Sequence, residues 1–149
     1  MSIGEFCIRN VVCARRDTTI VEAAHLMRRH HIGDLVVVDE KADERRPVGI
    51  VTDRDIVIEV VAAGLDPSIV KLGDLVLRPL VTVEEHAGYA ETVRLMTANG
   101  VRRIPVVDHA GLLAGIVSFD DMLHQLTVPL AELSGLAING RRHEARTRK

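Results

Sequence analysis

Gly115-Ile-Val-Ser-Phe-Asp-Asp121 repeats, with small changes, an earlier stretch of the same chain, Gly49-Ile-Val-Thr-Asp-Arg-Asp55. Each stretch begins with glycine and two aliphatic residues, and each continues with a hydroxyl residue that is followed three positions later by aspartate. An aliphatic run indicates a buried strand. A hydroxyl residue with an acidic residue three positions later is typical of a helix start, because the two side chains satisfy free backbone N–H groups there. Both stretches therefore predict a strand that leads directly into a helix.

The repetition extends over most of the 149 residues. A shift of 69 positions aligns residues 4–12 with residues 73–81 and places Glu22 on Glu91. The two glycine-led stretches align only after a slip of three residues, which falls at residues 40–48. This charged segment predicts a longer hairpin loop in the first half. A register kept over such a distance indicates a duplicated structural unit.

Each half has the same order of predicted elements, which is strand, helix, strand, strand, helix. Thr19 and Glu22 form a capping box at the start of the first helix. Apolar residues at helical spacing mark the buried faces of the two first helices; they are Ile20, Ala23, Ala24 and Met27 in the first half and Tyr89, Val93 and Met96 in the second. Strand pairs follow at residues 35–39 with 48–51 and 104–108 with 113–117, and the second helices begin at Thr52 and Ser118.

This pattern predicts an α+β (mixed α/β) fold of two β-α-β-β-α repeats. A unit of about 55–60 residues is marginally stable alone, so we expect the halves to pack sheet against sheet with pseudo-twofold symmetry, leaving two equivalent clefts. Apolar residues that remain on the second helices favour pairing with another copy of the chain, and hence a homodimer. These residues are Ile56, Val57, Val60 and Val61 in the first half and Met122, Leu123 and Leu126 in the second.

Composition and charge exclude several classes of protein. Apolar residues make up 47% of the chain and aromatic residues only 2%, so the core is expected to be aliphatic. No uninterrupted apolar run reaches the length of about 18 residues that a membrane span needs, and the first residues lack the layout of a signal peptide, which predicts a cytoplasmic location.

The last nine residues, 141–149, carry a charge of +4, and the other 140 residues carry −6. An acidic body argues against nucleic acid as a partner, and the basic tail is expected to be a solvated, poorly ordered end, with a docking role as the alternative.

Catalytic and metal-binding patterns are missing from the sequence. The histidines, including His30 and His31, lack the ligand spacing of a metal site. There is no nucleophile elbow and no Gly-rich phosphate loop, so we expect neither an enzyme nor a catalytic cofactor. Cys7 and Cys13 are the only cysteines and are expected to be small buried hydrophobes, while a redox-responsive role stays open.

The repeated motifs resemble those of tandem CBS (cystathionine β-synthase) domains, in the bacterial stand-alone form. In that family each domain carries a glycine-led strand ending in Thr/Ser-x-x-Asp, and an upstream segment of the kind found at residues 100–108. The resemblance covers residues 4–126. It implies a Bateman-type module with CBS domains at residues 4–62 and 73–127, a linker at 63–72 and an extension with the basic tail at 128–149.

The family resemblance implies an adenosine ligand in each cleft. AMP is expected first, with ADP, ATP, NAD(H) and S-adenosylmethionine as alternatives. Asp55 and Asp121 would accept hydrogen bonds from ribose hydroxyls, and Thr52 and Ser118 stand at helix starts, where free N–H groups favour an anion. The same motifs are also ordinary helix caps, and that reading stays open beside the ligand reading. The implied base pocket is lined by Val12, Cys13, Ile32, Val81, Thr82, Val101, Ile104, Pro105 and Ile116.

The two clefts differ in charge. The second half has Arg102 and Arg103 in its loop, cations suited to phosphate, where the first half has Gly33 and Asp34. Arg54 aligns with an aspartate of the second half, so we expect it to supply a cation across the shared cleft. The site that uses Ser118 and Asp121 is therefore expected to bind better than the site that uses Thr52 and Asp55.

The function that follows is that of a regulatory sensor. Nucleotide between the two CBS domains would bias their relative angle and signal to an unknown regulated protein, without nucleic acid or membrane as partner. The alternative is a ligand-free interaction or redox-responsive scaffold that uses Cys7 and Cys13.

Overall fold

The computed structural model describes the backbone of residues 1–76 and 78–147 and the side chains of residues 1–76, 78–136 and 138. The first half contains β1 (Cys13–Arg15), α1 (Ile20–His30), β2 (Asp34–Lys41), β3 (Glu44–Thr52) and α2 (Asp53–Ile56), which continues as a π-helical turn, Val57–Val61. The second contains α3 (Leu72–Leu75), β4 (Val83–Glu84), α4 (Tyr89–Asn99), β5 (Arg103–Val107), β6 (Leu113–Ser118) and α5 (Phe119–Thr147). The predicted α+β fold and its order of elements are confirmed. The chain divides into two compact units, Met1–Val117 and Ser118–Lys149.

Two three-stranded sheets form the framework of the first unit. Their strand orders are β1-β2-β3 and β4-β5-β6. In the first sheet β2 is central, parallel to β1 and antiparallel to β3, and in the second β5 is parallel to β4. The two halves of the sequence therefore build two sheets of the same topology.

The β2–β3 hairpin differs from the prediction of a longer loop at residues 40–48. The strands continue to Lys41 and Glu44, and only Ala42 and Asp43 connect them, both with positive φ (51° and 66°). Two consecutive residues with positive φ are typical of a tight hairpin turn whose twist matches the strands. Opposite charges face each other across the hairpin, as in the pair Lys41 and Glu44, and such pairs stabilise the extended strands. The predicted loop is wrong for this reason.

The helix α1 covers one face of the first sheet. Its capping box is confirmed, since the Glu22 N–H donates to Thr19 Oγ1 at 3.2 Å and the Thr19 N–H donates to Glu22 Oε2 at 2.8 Å. Of the predicted face, Ala24 is exposed, which corrects that assignment. The buried cluster that α1 completes consists of Ala14, Ile20, Ala23, Met27, Leu35, Val37, Val51, Val60 and Leu72.

The buried face of α4 contains a different residue from the one expected. Thr92 is fully buried, whereas Val93 is 36% exposed. The buried hydroxyl of Thr92 donates to the carbonyl oxygen of Gly88 at 3.1 Å, so its polar atom is satisfied within the helix. The assignment of Val93 to the buried face is therefore wrong by one position.

The segment that leads each repeat packs on the other repeat. Ser2 pairs with Gly88 and Ile8 with Ile116, and in the equivalent place Lys71 pairs with Thr19. The N–H of Ile8 donates to the carbonyl of Ile116, and the N–H of Ile116 to that of Ile8, at 2.9 and 3.0 Å. Each half is thus completed by backbone that precedes the other half in the sequence.

The apolar faces expected on the second helices are partly buried. Val60 is 0% exposed and belongs to the core cluster of the first half, and Met122 is 2% exposed. The wide π-helical turn has hydrogen bonds from Ala62 to Val57 and from Leu65 to Val60. Val57 and Val61, by contrast, are 57% and 64% exposed. Leu123 and Leu126 are exposed as well.

The helix α5 contains Pro129 in its interior. Its backbone includes residues 141–147 of the basic tail. The basic side chains of that tail, and residues 148–149, lie outside the described part of the chain. None of the helices within the described residues combines the length and the apolar character that crossing a membrane requires.

Candidate functional site

The residues Thr52 and Asp55 form a corner between β3 and α2, named here the first corner. The Thr52 N–H donates to Asp55 Oδ2 at 2.8 Å, and the Asp55 N–H donates to Thr52 Oγ1 at 3.1 Å. Both side chains are half-buried. The hydroxyl and the carboxylate therefore cap the helix as the sequence pattern predicts.

The residues Ser118 and Asp121 form the second corner, between β6 and α5, with the same geometry. The Ser118 N–H and Oγ donate to Asp121 Oδ2 at 2.8 and 2.6 Å, and the Asp121 N–H donates to Ser118 Oγ at 3.1 Å. In both corners the cap uses Oδ2 of the aspartate. Oδ1 takes no part in either cap, so a hydroxyl group of a ligand could donate to it without breaking the cap.

An aliphatic face lies beside the first corner. Asp34 is the cross-strand partner of Thr52, Val36 that of Ile50, and Cys13 of β1 pairs with Val36. Directly paired residues share one face of a sheet. The alternate residues, among them Leu35 and Val51, belong to the core cluster under α1. The face with Cys13, Val36 and Ile50 is therefore the one opposite the α1 cluster; Val36 at its centre is 1% exposed, and Cys13 and Ile50 are half-buried.

The remaining predicted residues of the first half lie beside the core cluster or on α2. Val12 and Ile32 are half-buried and pack at the edge of the core cluster. Ile32 also lines an open depression of about 650 Å³ on the helix side of the sheet, together with Met27, Asp53 and Val57. Arg54 is exposed on α2.

The second half presents the equivalent face through β5. Side chains alternate along a strand, so Arg103 and Pro105 lie on one face, and Ile104 and Val106, both 0% exposed, on the other. Ile104 is a core residue, like its equivalent Leu35. Val81, Thr82, Val101 and Ile116 are half-buried, Pro105 is buried and Arg102 is exposed.

An ion pair connects the two halves where the predicted phosphate cation lies. Arg103 Nη1 is 3.0 Å from Asp34 Oδ1, and the Asp34 side chain is only 11% exposed. Burial raises the pKa of Asp34 above its ordinary value, Arg103 lowers it in part, and Asp53 raises it further. Sequence reasoning treated Asp34 only as a missing cation. The sequence nevertheless contained a signal for this ion pair, because positions 34 and 103 are equivalent under the 69-residue shift and carry opposite charges.

Asp53 brings a second carboxylate to the same loop. The Asp53 N–H donates to the carbonyl of Gly33 at 2.9 Å. A Cβ placed on Gly33 would lie 3.1 Å from Asp53 Oδ2. Asp34 and Asp53 thus flank Thr52, one across the hairpin and one after it in the chain.

The two thiols are poorly suited to redox chemistry. Burial raises the pKa of Cys7 and of Cys13, although Arg45 Nη1, 3.8 Å from Cys13 Sγ, lowers the latter in part. A raised pKa keeps a thiol protonated and unreactive. Among the side chains that the structure describes, no three histidine, cysteine, aspartate or glutamate residues form a group that could hold a metal ion.

Comparison with known proteins identifies the repeat. Residues 3–62 and 72–127 each match the family model described as CBS domain. The chain belongs to the CBS-domain family. The CBS repeats occupy both halves, and the first corner and the second corner lie at the carboxyl end of the third strand of their repeats.

Relatives of this CBS pair include proteins of several kinds of organism. The uncharacterized protein MK0525 of Methanopyrus kandleri is 46% identical over 123 residues, which are 83% of this chain and 61% of the length of that protein. Hypoxic response protein 1 of Mycobacterium tuberculosis is 38% identical over 116 residues, 78% of each chain. The mitochondrial CBSX3 of Arabidopsis thaliana is 32% identical over 109 residues, 72% of this chain and 52% of that protein. The expected bacterial type is therefore too narrow.

Solved structures of CBS pairs share the fold. The crystal structure of Hypoxic Response Protein I, with two coordinated zinc ions, has a TM-score of 0.73 and 34% identity, and the match covers 83% of this chain and 98% of that chain. The CBS domain pair of MJ0100 has a TM-score of 0.72 at 24% identity and covers 85% of this chain and 99% of that chain.

Proposed function

We propose that this CBS pair is a non-catalytic regulatory module that binds adenosine ligands in the cleft between its two domains, AMP first among them. One observation carries the proposal: both corners hold an aspartate in a fixed helix cap that uses only one of its oxygens. A carboxylate held in this way is preorganised to accept hydrogen bonds from ribose hydroxyl groups.

The fold neighbour MJ0100 supports the ligand class. Its CBS domain pair was crystallised in complex with 5′-methylthioadenosine and S-adenosyl-L-methionine. By analogy with that fold we infer adenosine as the common part of the ligand, with AMP, ADP, ATP and NAD(H) as candidates beside S-adenosylmethionine. Binding would shift the relative populations of domain arrangements and so affect a regulated partner, at a cytoplasmic location as the sequence predicts.

The test is a titration of the protein with each of these ligands, in which binding is measured by thermal shift and by calorimetry. Ligand at 100 times its Kd stabilises the folded protein by about 2.7 kcal/mol. We expect Asp121→Ala to abolish most of the AMP response, and Asp55→Ala to remove the response of the first corner.

A matched control separates ligand binding from capping. Asp74 caps α3 in the same way, since its Oδ2 accepts from the Lys71 N–H at 2.9 Å, but it lies outside both motifs. Asp74→Ala should lower stability by about 1 kcal/mol, as loss of a cap does, and leave the ligand response intact. Wild-type protein that responds to no adenosine compound at millimolar concentration would overturn the proposal.

We further propose that the module is a homodimer through the exposed face of the π-helical turn Val57–Val61. Val57 and Val61 are one helical turn apart and exposed, and Val57 borders the open depression that Ile32 and Met27 line. A projecting pair of valines next to a concave apolar surface can pair with its own copy about a twofold axis. A second copy of this chain is therefore the occupant that this face favours.

A further inference from the structure

We propose that the ion pair between Asp34 and Arg103, named here the clasp, holds the two CBS repeats closed against each other and must break before a ligand can enter between them. Its effect on ligand binding rests on the proposed function. The clasp itself is a property of the protein without ligand, so it can be tested separately.

The clasp lies on the pseudo-twofold axis that relates the two halves. Two backbone pairs that cross between the halves are exchanged by the 69-residue shift; they are Ser2 with Gly88 and Lys71 with Thr19. Asp34 and Arg103 are also exchanged by this shift, and they contact each other at 3.0 Å. Two positions that a twofold axis exchanges can meet only at the axis itself. One ion pair therefore acts on both repeats in the same way.

The sheet face beside the clasp is covered. Asp34 begins β2 on the face opposite the α1 cluster, and side chains alternate along a strand. The next two residues on that face, Val36 and Val38, are 1% and 3% exposed. In the second repeat Pro105, two positions after Arg103 on β5, is buried as well. A ligand therefore reaches these surfaces only when the repeats move apart.

The ionic character of the clasp suits a contact that opens and closes. The Asp34 side chain is 11% exposed and that of Arg103 is 43% exposed. Burial raises the pKa of Asp34 and Arg103 lowers it in part, so the carboxylate depends on its partner to stay ionised. A buried ion pair adds little net stability, because both charges regain their hydration when they separate. The clasp therefore specifies the closed arrangement and still permits opening.

Other contacts keep the repeats joined when the clasp breaks. Ile8 and Ile116 exchange backbone hydrogen bonds of 2.9 and 3.0 Å between a leading segment and the second repeat. At the far end of the β2–β3 hairpin, Arg46 donates to the carbonyl oxygens of Ala110 and Gly111 at 3.0 and 3.4 Å. All of these acceptors are uncharged backbone groups, so they do not depend on the clasp. Opening is therefore a rotation of one repeat against the other and not a dissociation.

The experiment measures opening through the thiol of Cys13. Cys13 is half-buried and pairs with Val36 on the covered face, so its alkylation by iodoacetamide reports exposure of that face. Mass spectrometry separates Cys13 from Cys7. We expect Asp34→Asn to make the alkylation of Cys13 about tenfold faster, an effect typical of the loss of one coupled pair. The exchanged pair, Asp34→Arg with Arg103→Asp, should return the rate to the wild-type value, because the axis makes the two positions equivalent.

The matched control is Asp39→Asn. Asp39 is another β2 aspartate paired with an arginine, Arg16, at 2.7 Å, but both residues belong to the first repeat, so the alkylation rate should not change. Should the exchanged pair fail to fold, Arg103→Gln replaces it; it should act as Asp34→Asn does, and the two changes together should do no more than either alone. A wild-type rate in the Asp34→Asn protein would overturn the clasp. So would an exchanged pair that is as reactive as the Asp34→Asn protein, or additive effects of the two single changes.

The consequence for binding is measured by calorimetry with adenosine, which has no charge for Asp34 to attract or repel. Because only the open form admits a ligand, the apparent affinity follows the open fraction. Asp34→Asn should therefore lower the Kd for adenosine about tenfold, and Asp39→Asn should leave it unchanged. An unchanged Kd in an Asp34→Asn protein that is alkylated faster would overturn the control of access. A wild-type protein that binds no adenosine compound would instead refute the proposed function, and the alkylation rates would still decide the clasp.

Discussion

The glycines that open the two repeated stretches are explained by contacts at the residue scale. A Cβ on Gly49 would lie 2.7 Å from both γ-carbons of Val76, and one on Gly115 would lie 2.6 Å from Cys7 Sγ. Cys7 and Val76 belong to the leading segments that pack on the opposite half. Glycine is therefore needed at these positions because a side chain of a leading segment approaches closely, and its φ freedom plays no part.

Replacement of Gly115 by alanine should destabilise the protein. The added methyl group would also meet the carbonyl oxygen of Ile8 at 3.0 Å, and backbone cannot yield as a flexible side chain can. We expect a loss of about 1–3 kcal/mol in the free energy of unfolding, measured by urea denaturation. Gly88→Ala is the control, because nothing lies within 4 Å of its added Cβ. Equal effects of the two changes would refute the close-packing explanation.

The carboxylate of Asp108 makes stability depend on pH. It accepts hydrogen bonds from the N–H groups of Leu112 and Ala110 at 2.9 and 2.8 Å, and these lower its pKa. A group whose pKa is lowered on folding stabilises the protein above its unfolded pKa of about 3.9, and this contribution is lost as pH falls through the folded value.

Asp108→Asn should therefore lower stability most at neutral pH. The difference from wild type in the free energy of unfolding is expected to shrink as the pH is lowered from 7 to below 4. Guanidinium denaturation at a series of pH values measures this difference. A difference that stays constant across the series would show that the charge of Asp108 contributes nothing.

At the scale of single elements, the helix starts are the features that the local sequence determines most directly. The cap of α1 joins Thr19 and Glu22 by reciprocal hydrogen bonds, and both corners repeat that arrangement. In all three places the hydroxyl residue and the acidic residue are three positions apart. A rule of such short range acts on the local sequence alone, so it holds whatever the rest of the chain does.

Removal of the α1 cap should cost a measurable part of the stability. Thr19→Ala leaves the N–H of Glu22 without its acceptor, and we expect a loss of about 1 kcal/mol in thermal or urea unfolding. Thr97→Ala is the matched control, since the Thr97 hydroxyl only bonds back to the Val93 carbonyl at 2.8 Å within α4. That change should be neutral or slightly stabilising, because alanine has the higher helix propensity. A loss from Thr97→Ala as large as that from Thr19→Ala would contradict the capping argument.

At the scale of the whole molecule, the proposed dimer surface can be tested directly. A charge on the exposed face of the π-helical turn Val57–Val61 would be buried without a partner in a dimer, so Val57→Asp should convert dimers to monomers. Light scattering would then report a mass near the 16.4 kDa of one chain. Ile69→Asp, at a residue that is 71% exposed, is expected to leave the mass unchanged. A wild-type protein that is already monomeric at high concentration would exclude the dimer.

The sequence predicted what depends on neighbouring residues and missed what depends on distant ones. The capped corners and the duplicated topology follow from motif spacing. Thr92 was missed because its hydroxyl is satisfied inside α4, which lets a polar residue occupy a core position. The hairpin was missed because charged residues pair across it. The Asp34–Arg103 ion pair spans 69 positions and exists only once the two sheets meet.

The crossed placement of the leading segments affects how the polypeptide can be divided. A cut in the exposed stretch near Gly64 and Leu65 would give one piece that lacks Lys71, which pairs with its Thr19, and Leu72, which belongs to its core, and another piece that lacks Ser2 and Ile8. Neither piece should be soluble and ordered when expressed singly. When the two pieces are co-expressed, they should form a stable complex, because each piece contains the leading segment that packs on the other. The chain could then be split into two fragments that fold only when they meet.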